Sequence, residues 1–192
     1  MKIVVSRYNE DLQWTKQFSD VIIYNKGEDN IGPDYNVVKL KNVGREGHAY
    51  YTHICENYDN LDDYIVFLQG EPFHHSPNLI RNLQKYANSD QEPDVDFALL
   101  SETMLECDLK GCPYDVNLPL IPVYEQLFNE RKWEMPFMFG AGAQFIVSKR
   151  RILSRPKEFY EKIVKLLNYC VHPREGNVIE RFHPLIFAER NH

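Results

Sequence analysis

The sequence predicts a single-domain α/β protein with a mostly parallel sheet flanked by helices. Short apolar runs without polar alternation recur through the first hundred residues, as in strands buried on both faces of a parallel sheet. Stretches with apolar residues at i, i+3, i+4 and i+7 fall between or after them, so strand and helix alternate. A length of 192 residues, without internal repeat or linker-like segment, suits one domain over 1–192.

In chain order, residues 3–6 form the first strand, and Asn9 is expected to cap a helix carrying Leu12, Trp14 and Phe18. Residues 21–24 and 37–40 give the second and third strands, and a helix follows with Tyr51, Ile54, Cys55 and Tyr58 on its apolar face. Residues 64–68 make a fourth strand. Ser76-Pro77 then supplies a cap and a first-turn proline ahead of Leu79, Ile80, Leu83 and Tyr86. Residues 97–100 form a fifth strand. Between 101 and 136, prolines at 113, 119, 122 and 136 and the lack of a sustained period predict a long irregular loop, of the kind that is usually functional or disordered. Regular structure resumes at 143–147. Arg155-Pro156 opens a helix through Phe159, Tyr160, Ile163, Leu166 and Leu167, and a last pattern, Ile179, Phe182, Leu185 and Ile186, is expected to kink or restart at Pro184.

Composition narrows the partners. With 22 Lys and Arg against 28 Asp and Glu, the net charge is -6 and no basic block occurs, so a nucleic acid polymer is not expected. An anionic small molecule remains compatible, because net charge does not dictate local sites. Apolar runs such as Ile65-Val66-Phe67-Leu68 are too short to span a membrane. Lys2 leads into Ile3-Val4-Val5 and then Ser6-Arg7, with no apolar stretch of leader length, so a cytoplasmic location is expected. Four cysteines at 55, 107, 112 and 170 lack metal-finger spacing and read as free thiols.

Several stretches carry chemistry. Asn42-Val43-Gly44-Arg45-Glu46-Gly47-His48 leaves a strand and enters a helix. Its glycines permit close backbone approach, the helix start favours anions, and Arg45 can grip phosphate oxygens bidentately; alternatively this is a tight turn with an Arg45–Glu46 ion pair. Gln69-Gly70-Glu71-Pro72-Phe73-His74-His75 follows the fourth strand, at the strand end where open α/β sheets bind ligands. Glu71 with a nearby His could hold Mg or Mn, or the histidines could be surface groups. The small residues of Gly140-Ala141-Gly142-Ala143 permit contact with a ligand or with another backbone. Glu180 and His183, at i and i+3, could act as base and metal ligand or form an exposed polar stripe.

Together, Ser6-Arg7-Tyr8-Asn9-Glu10, Asn42-Val43-Gly44-Arg45-Glu46, Phe67-Leu68-Gln69-Gly70 and Gly140-Ala141-Gly142-Ala143-Gln144-Phe145 resemble a domain family of fungi and large DNA viruses with no assigned activity. A more distant resemblance is to glycosyltransferases of the A-type fold. Val4-Val5-Ser6-Arg7-Tyr8-Asn9, Asn42-Val43-Gly44 and Ile65-Val66-Phe67-Leu68-Gln69-Gly70-Glu71 follow in the order of that family's nucleotide loop, Asn-x-Gly turn and D-x-D metal motif. Here Gln69-Gly70-Glu71 replaces D-x-D, with one carboxylate instead of two.

This second resemblance implies a nucleotide-diphospho-sugar transferase (GT-A) like fold, with 1–100 as the nucleotide-binding half and 101–192 as the acceptor half. It implies an enzyme that moves a sugar from a nucleotide-diphosphate sugar donor to a glycan or other hydroxyl acceptor. Arg7, Tyr8, Asn42, Gly44, Arg45, Gln69, Gly70 and Gly142 would bind the donor. Glu71 and His183 would hold Mn or Mg, and Glu180 would be the catalytic base. Tyr114, Tyr124 and Trp133 could stack on sugar faces or fill core. The alternative is a non-catalytic nucleotide- or carbohydrate-binding module of the same fold.

Overall fold

The computed structural model describes residues 1–87, 93 and 95–189. Residues 190–192, which the predicted domain includes, lie outside the described residues. In chain order the elements are β1 (Lys2–Arg7), β2 (Val21–Asn25), β3 (Val37–Lys39), α1 (Arg45–Asn57), β4 (Tyr64–Gln69), α2 (Leu79–Ala87), β5 (Phe97–Leu99) and β6 (Met104–Asp108). They continue with α3 (Leu120–Phe128), β7 (Pro136–Gly140), β8 (Phe145–Ser148), α4 (Lys149–Leu153), α5 (Lys157–Leu167) and α6 (Arg174–Ile186). The six-stranded sheet has the order β3-β2-β1-β4-β8-β5, and β6 and β7 make a separate two-stranded ribbon.

β1 to β4 are parallel neighbours, with Val4 beside Ile22 on one flank and Phe67 on the other. β8 runs antiparallel to both β4 and β5, which makes the sheet mixed. Helices cover both faces, and this accounts for the unbroken apolar runs. Val4, Tyr24, Ile65, Phe67, Phe145 and Val147 pack in the larger core with α1, α3, α5 and α6. The alternate residues Ile3, Val5, Ile23, Val66, Leu68 and Ile146 pack with Leu12, Leu79, Leu83 and Leu100.

The structure departs from the sequence reading at several elements. The helix expected after Asn9 is one turn of 3₁₀ helix, Gln13–Gln17, preceded by Leu12. The Asn9 side chain instead accepts from the Glu28 amide. Ser76 donates its hydroxyl to the Leu100 carbonyl rather than capping α2. The 101–136 segment is not an irregular loop: it contains β6 and α3 and ends at the first residue of β7. Pro119 sits at the cap of α3 and Pro122 within its first turn, where a missing N–H costs no helical bond. α6 runs through Pro184 without restarting. The bond lost there, to the Glu180 carbonyl, falls in the last turn, where fewer bonds depend on it.

Candidate functional site

The strand order reverses direction between β1 and β4, and a cleft of about 590 Å³ opens at their carboxyl ends. Ser6, Arg7, Tyr8 and Glu10 line it from β1, Lys26 from β2, and Gln69, Gly70 and Glu71 from β4. Asn42, Arg45 and Glu46 close it from the start of α1, and Val171 and His172 from the turn before α6. Seven of the residues singled out for donor or metal binding, namely Arg7, Tyr8, Asn42, Arg45, Gln69, Gly70 and Glu71, therefore meet in one place.

The floor of the cleft is cationic. Arg7 is 5% exposed and Lys26 8%. Arg7 donates to the Glu10 carbonyl at 3.0 Å, to Asn25 Oδ1 at 2.9 Å and to Asn30 Oδ1 at 2.8 Å, all neutral acceptors. Lys26 donates to the Val43 carbonyl at 2.5 Å and to the Arg45 carbonyl. Among the described residues, neither cation forms an ion pair with a carboxylate. Burial lowers the Lys26 ammonium to about 8, against the pull of Glu46. Arg7 thus clamps the loop after β2 as well as lining the cleft, a structural duty its position in the motif did not disclose.

Arg45 follows Gly44, and both have left-handed φ, at 52° and 67°. In a non-glycine residue that conformation costs about 1 kcal/mol, and such strain gathers at ligand sites. The Arg45 guanidinium bonds the Asn177 side chain and approaches Glu46 at 3.7 Å, so the local ion pair exists, half-exposed at the rim. Gly44 itself faces α5: a Cβ there would meet Leu167 Cβ at 2.8 Å, and its N–H donates to the Cys170 carbonyl. It is a packing glycine, not the donor-binding surface expected of it. Gly70 is different. A Cβ at that position would come within 2.6 Å of the Glu10 carboxylate, which accepts the Tyr8 amide proton at 2.6 Å. The Glu10 carboxylate thus sits against the Gln69-Gly70-Glu71 turn, a neighbour the linear motif could not reveal.

Three other expected site residues lie outside the cleft lining. His183 is 1% exposed in the aromatic core, with Nδ1 2.8 Å from the Tyr51 hydroxyl and its ring 4.5 Å from that of Phe145. Burial lowers this imidazole to about 3. It is a core histidine, which corrects its pairing with Glu71. Among the described residues, no group of three His, Cys, Asp or Glu side chains forms a metal cluster. Gly142 is wedged between His75 and Gln144, each about 3.0 Å from a Cβ built there. Its N–H donates to Glu180 Oε1 at 2.8 Å, so it orients a carboxylate instead of opening onto ligand. Glu180 is nearly buried, and burial, reinforced by Glu46, raises its carboxyl above the usual range.

Of the aromatic residues proposed to stack on sugars, Tyr124 is core, while Tyr114 and Trp133 are exposed at 64% and 62%. Lys26 could have been found by applying the strand-end rule to β2 as well as β4. His172 and Glu46 reach the cleft only through tertiary packing.

Residues 3–192 match the model of one protein family, described as "Protein of unknown function (DUF3431)". No curated protein matches the chain. Among solved structures, the crystal structure of HddC from Yersinia pseudotuberculosis is similar, at 10% identity and a TM-score of 0.36, covering 81% of this chain and 80% of that one. That likeness is too distant to bear on function.

Proposed function

The chain belongs to that family, DUF3431, and from its cleft we propose that it is a GT-A-like glycosyltransferase, moving a sugar from a nucleotide-diphosphate sugar to a glycan or other hydroxyl acceptor. The observation that carries the reading is the pair of buried cations, Arg7 and Lys26, which hold neutral acceptors and no carboxylate beside the rim cation Arg45. A buried charge without a counter-ion costs several kcal/mol, and an anion entering the cleft offsets that cost. A diphosphate matches this floor: two charges in a row, with a guanidinium at the rim to take oxygens in a fork. Among the described residues, no helix is long and apolar enough to cross a membrane.

The donor set also suits a hard divalent ion. Glu10, Glu71 and Gln69 line one cleft, and oxygen donors of this kind suit Mg or Mn. When bound, such an ion would act as a Lewis acid toward the leaving diphosphate. The chain's own part is to fix the donor with Arg45 and the α1 start, and to keep positive charge beneath the phosphates as they take up the electron pair of the breaking sugar bond. Glu180, held by the Gly142 N–H and with its carboxyl raised by burial above the usual range, would take the acceptor hydroxyl proton.

One observation favours the second reading, a non-catalytic nucleotide- or carbohydrate-binding module: Glu180 does not itself line the cleft. The two readings separate in one experiment. A UDP- or GDP-sugar at about 100 times its dissociation constant, with Mg or Mn, should add about 2.7 kcal/mol of stability, a melting shift of about 5–10 °C. Release of free sugar under the same conditions marks a transferase, and a shift without release marks a module. No shift with any nucleotide sugar overturns the transferase reading and the nucleotide-binding version of the module.

A further inference from the structure

Cys107 and Cys112 flank the turn that leaves β6. Between them, Asp108 and Gly111 form an antiparallel bridge and exchange both backbone hydrogen bonds, at 3.2 and 3.0 Å. Extending the register of that isolated bridge by one residue on each side sets Cys107 against Cys112, at the place of a non-hydrogen-bonded pair. Facing Cα atoms in such pairs are about 4.5 Å apart with side chains on the same side. A disulfide spans Cα separations of about 4.4–6.8 Å, so the backbone already stands at bridging distance. Both thiols are free and buried, and the Cys107 thiol donates to the Asp108 carbonyl at 3.7 Å.

The two sulfurs differ in environment. Arg181 Nε donates to Cys112 Sγ at 3.4 Å. Burial pushes the Cys112 thiol up, but the Arg181 guanidinium, the Tyr114 backbone and the neighbouring Cys107 together outweigh it and the net shift is downward, while burial and the neighbouring sulfur push Cys107 up to about 12. A surface cavity of about 490 Å³, lined by Glu106, Cys107, Asp108, Gly111 and Phe137 among others, reaches the Cys107 side of the pair, while Cys112 lies behind its wall. The other two cysteines stand apart, Cys55 on α1 and Cys170 after α5.

We propose that Cys107 and Cys112 are an oxidation site that closes a reversible intrachain disulfide on reaction with a hydroperoxide. The Cys112 thiolate attacks one peroxide oxygen, the O–O bond breaks, and the departing hydroxide (or alkoxide) takes a proton from solvent. This leaves Cys112 as a sulfenic acid. The Cys107 sulfur then attacks the Cys112 sulfur, the S–O bond breaks, and the oxygen leaves as water with the Cys107 proton. Two electrons pass from the two sulfurs to the peroxide, and a dithiol reverses the bond by exchange.

The full chain, treated with a few equivalents of hydrogen peroxide and then denatured and alkylated, should lose two of its four titratable thiols. Peptide mapping should join Cys107 to Cys112, and dithiothreitol should restore all four. With dimedone present, Cys107→Ser should trap a sulfenic acid at Cys112. Arg181→Lys, with its fold checked by circular dichroism, should react about tenfold more slowly because the guanidinium contact to sulfur is gone. Retention of all four thiols, or linkage through Cys55 or Cys170, overturns the site. An Arg181→Lys variant that reacts at the wild-type rate, or a Cys107→Ser variant without the Cys112 adduct, overturns the assignment of Cys112 as the attacking sulfur.

Discussion

The cleft between β1 and β4 and the aromatic core beneath α1 and α6 both gather polar side chains and do opposite things with them. In the core, His53, His183, Tyr24 and Tyr51 bond one another in pairs, Tyr24 to His53 at 3.0 Å and Tyr51 to His183 at 2.8 Å, closed off by Phe67, Phe145 and Phe187. In the cleft, Arg7, Lys26, Gln69 and Glu71 meet around open space. A polar side chain near a motif is thus no guide to reactivity. What separates the two regions is whether the polar groups are enclosed by aromatic rings or stand around open space.

The largest test bears on Glu180, which stands at the seam of the two regions. Glu180→Gln keeps the acceptor for the Gly142 N–H but cannot take a proton, and turnover should fall by about 10² to 10⁴ with nucleotide binding little changed. The loss should appear in kcat more than in KM, read from initial rates. Full turnover would assign Glu180 to the core, with the base elsewhere.

Core identity should show as stability. His183→Ala removes a buried ring and leaves the Tyr51 hydroxyl alone, a cost of about 3 kcal/mol in chemical denaturation, while binding by the folded fraction stays normal. The pH profile belongs to the same test. His48 and His53 are lowered to about 4 and His183 to about 3, chiefly by burial. Below the ordinary imidazole range of about 6.5 the unfolded chain binds protons that the folded chain refuses. Stability should therefore be full above pH 6.5 and decline as pH falls toward 4. A denaturation midpoint flat across that window would contradict the closed core.

Cleft identity should show as binding. Arg45→Ala is expected to weaken diphosphate binding by about 1.5–3 kcal/mol by titration calorimetry, with Arg45→Lys recovering part of it. The Cβ it keeps bears the same left-handed φ, so the unliganded fold should be nearly unchanged. Unfolding instead, with normal binding by what remains folded, would make Arg45 and Glu46 a structural pair. The smallest effect on the fold is expected at exposed Glu71. Glu71→Gln should leave stability within about 0.5 kcal/mol yet remove the Mg or Mn dependence of nucleotide binding.

The sheet was legible where burial on both faces leaves no room for polar residues: the runs at 3–6, 21–24 and 64–68 lie within β1, β2 and β4. β6 was not, because its outer face exposes Met104 and Glu106 while Leu105 and Cys107 turn inward, an alternation too short to stand out among prolines. The same division holds in the cleft. Strand-end motifs identified Arg7, Gln69 and Glu71, since chain position alone brings them to the switch point. Glu10 could not be read as a neighbour of Gly70, because the contact spans 60 residues and depends on the missing Cβ. Nor could His183 be told from a ligand, since its seat against Phe145 comes from β8 packing on α6.

The antiparallel insertion of β8 has a consequence for biogenesis. β4 carries five apolar residues in a row, Tyr64 to Leu68, and among the described residues its far edge is covered by β8, about 75 residues later in the chain. β5 pairs with β8 alone and cannot dock on that edge earlier. At about 5–20 residues per second, a ribosome would expose the open edge of Tyr64–Gln69 for roughly 4–15 seconds before its cover emerges. An unpaired hydrophobic edge of this kind is a template for pairing with another chain. Nascent chains that stop short of Phe145 should therefore recruit chaperones or aggregate, while those that pass Ser148 should release and close.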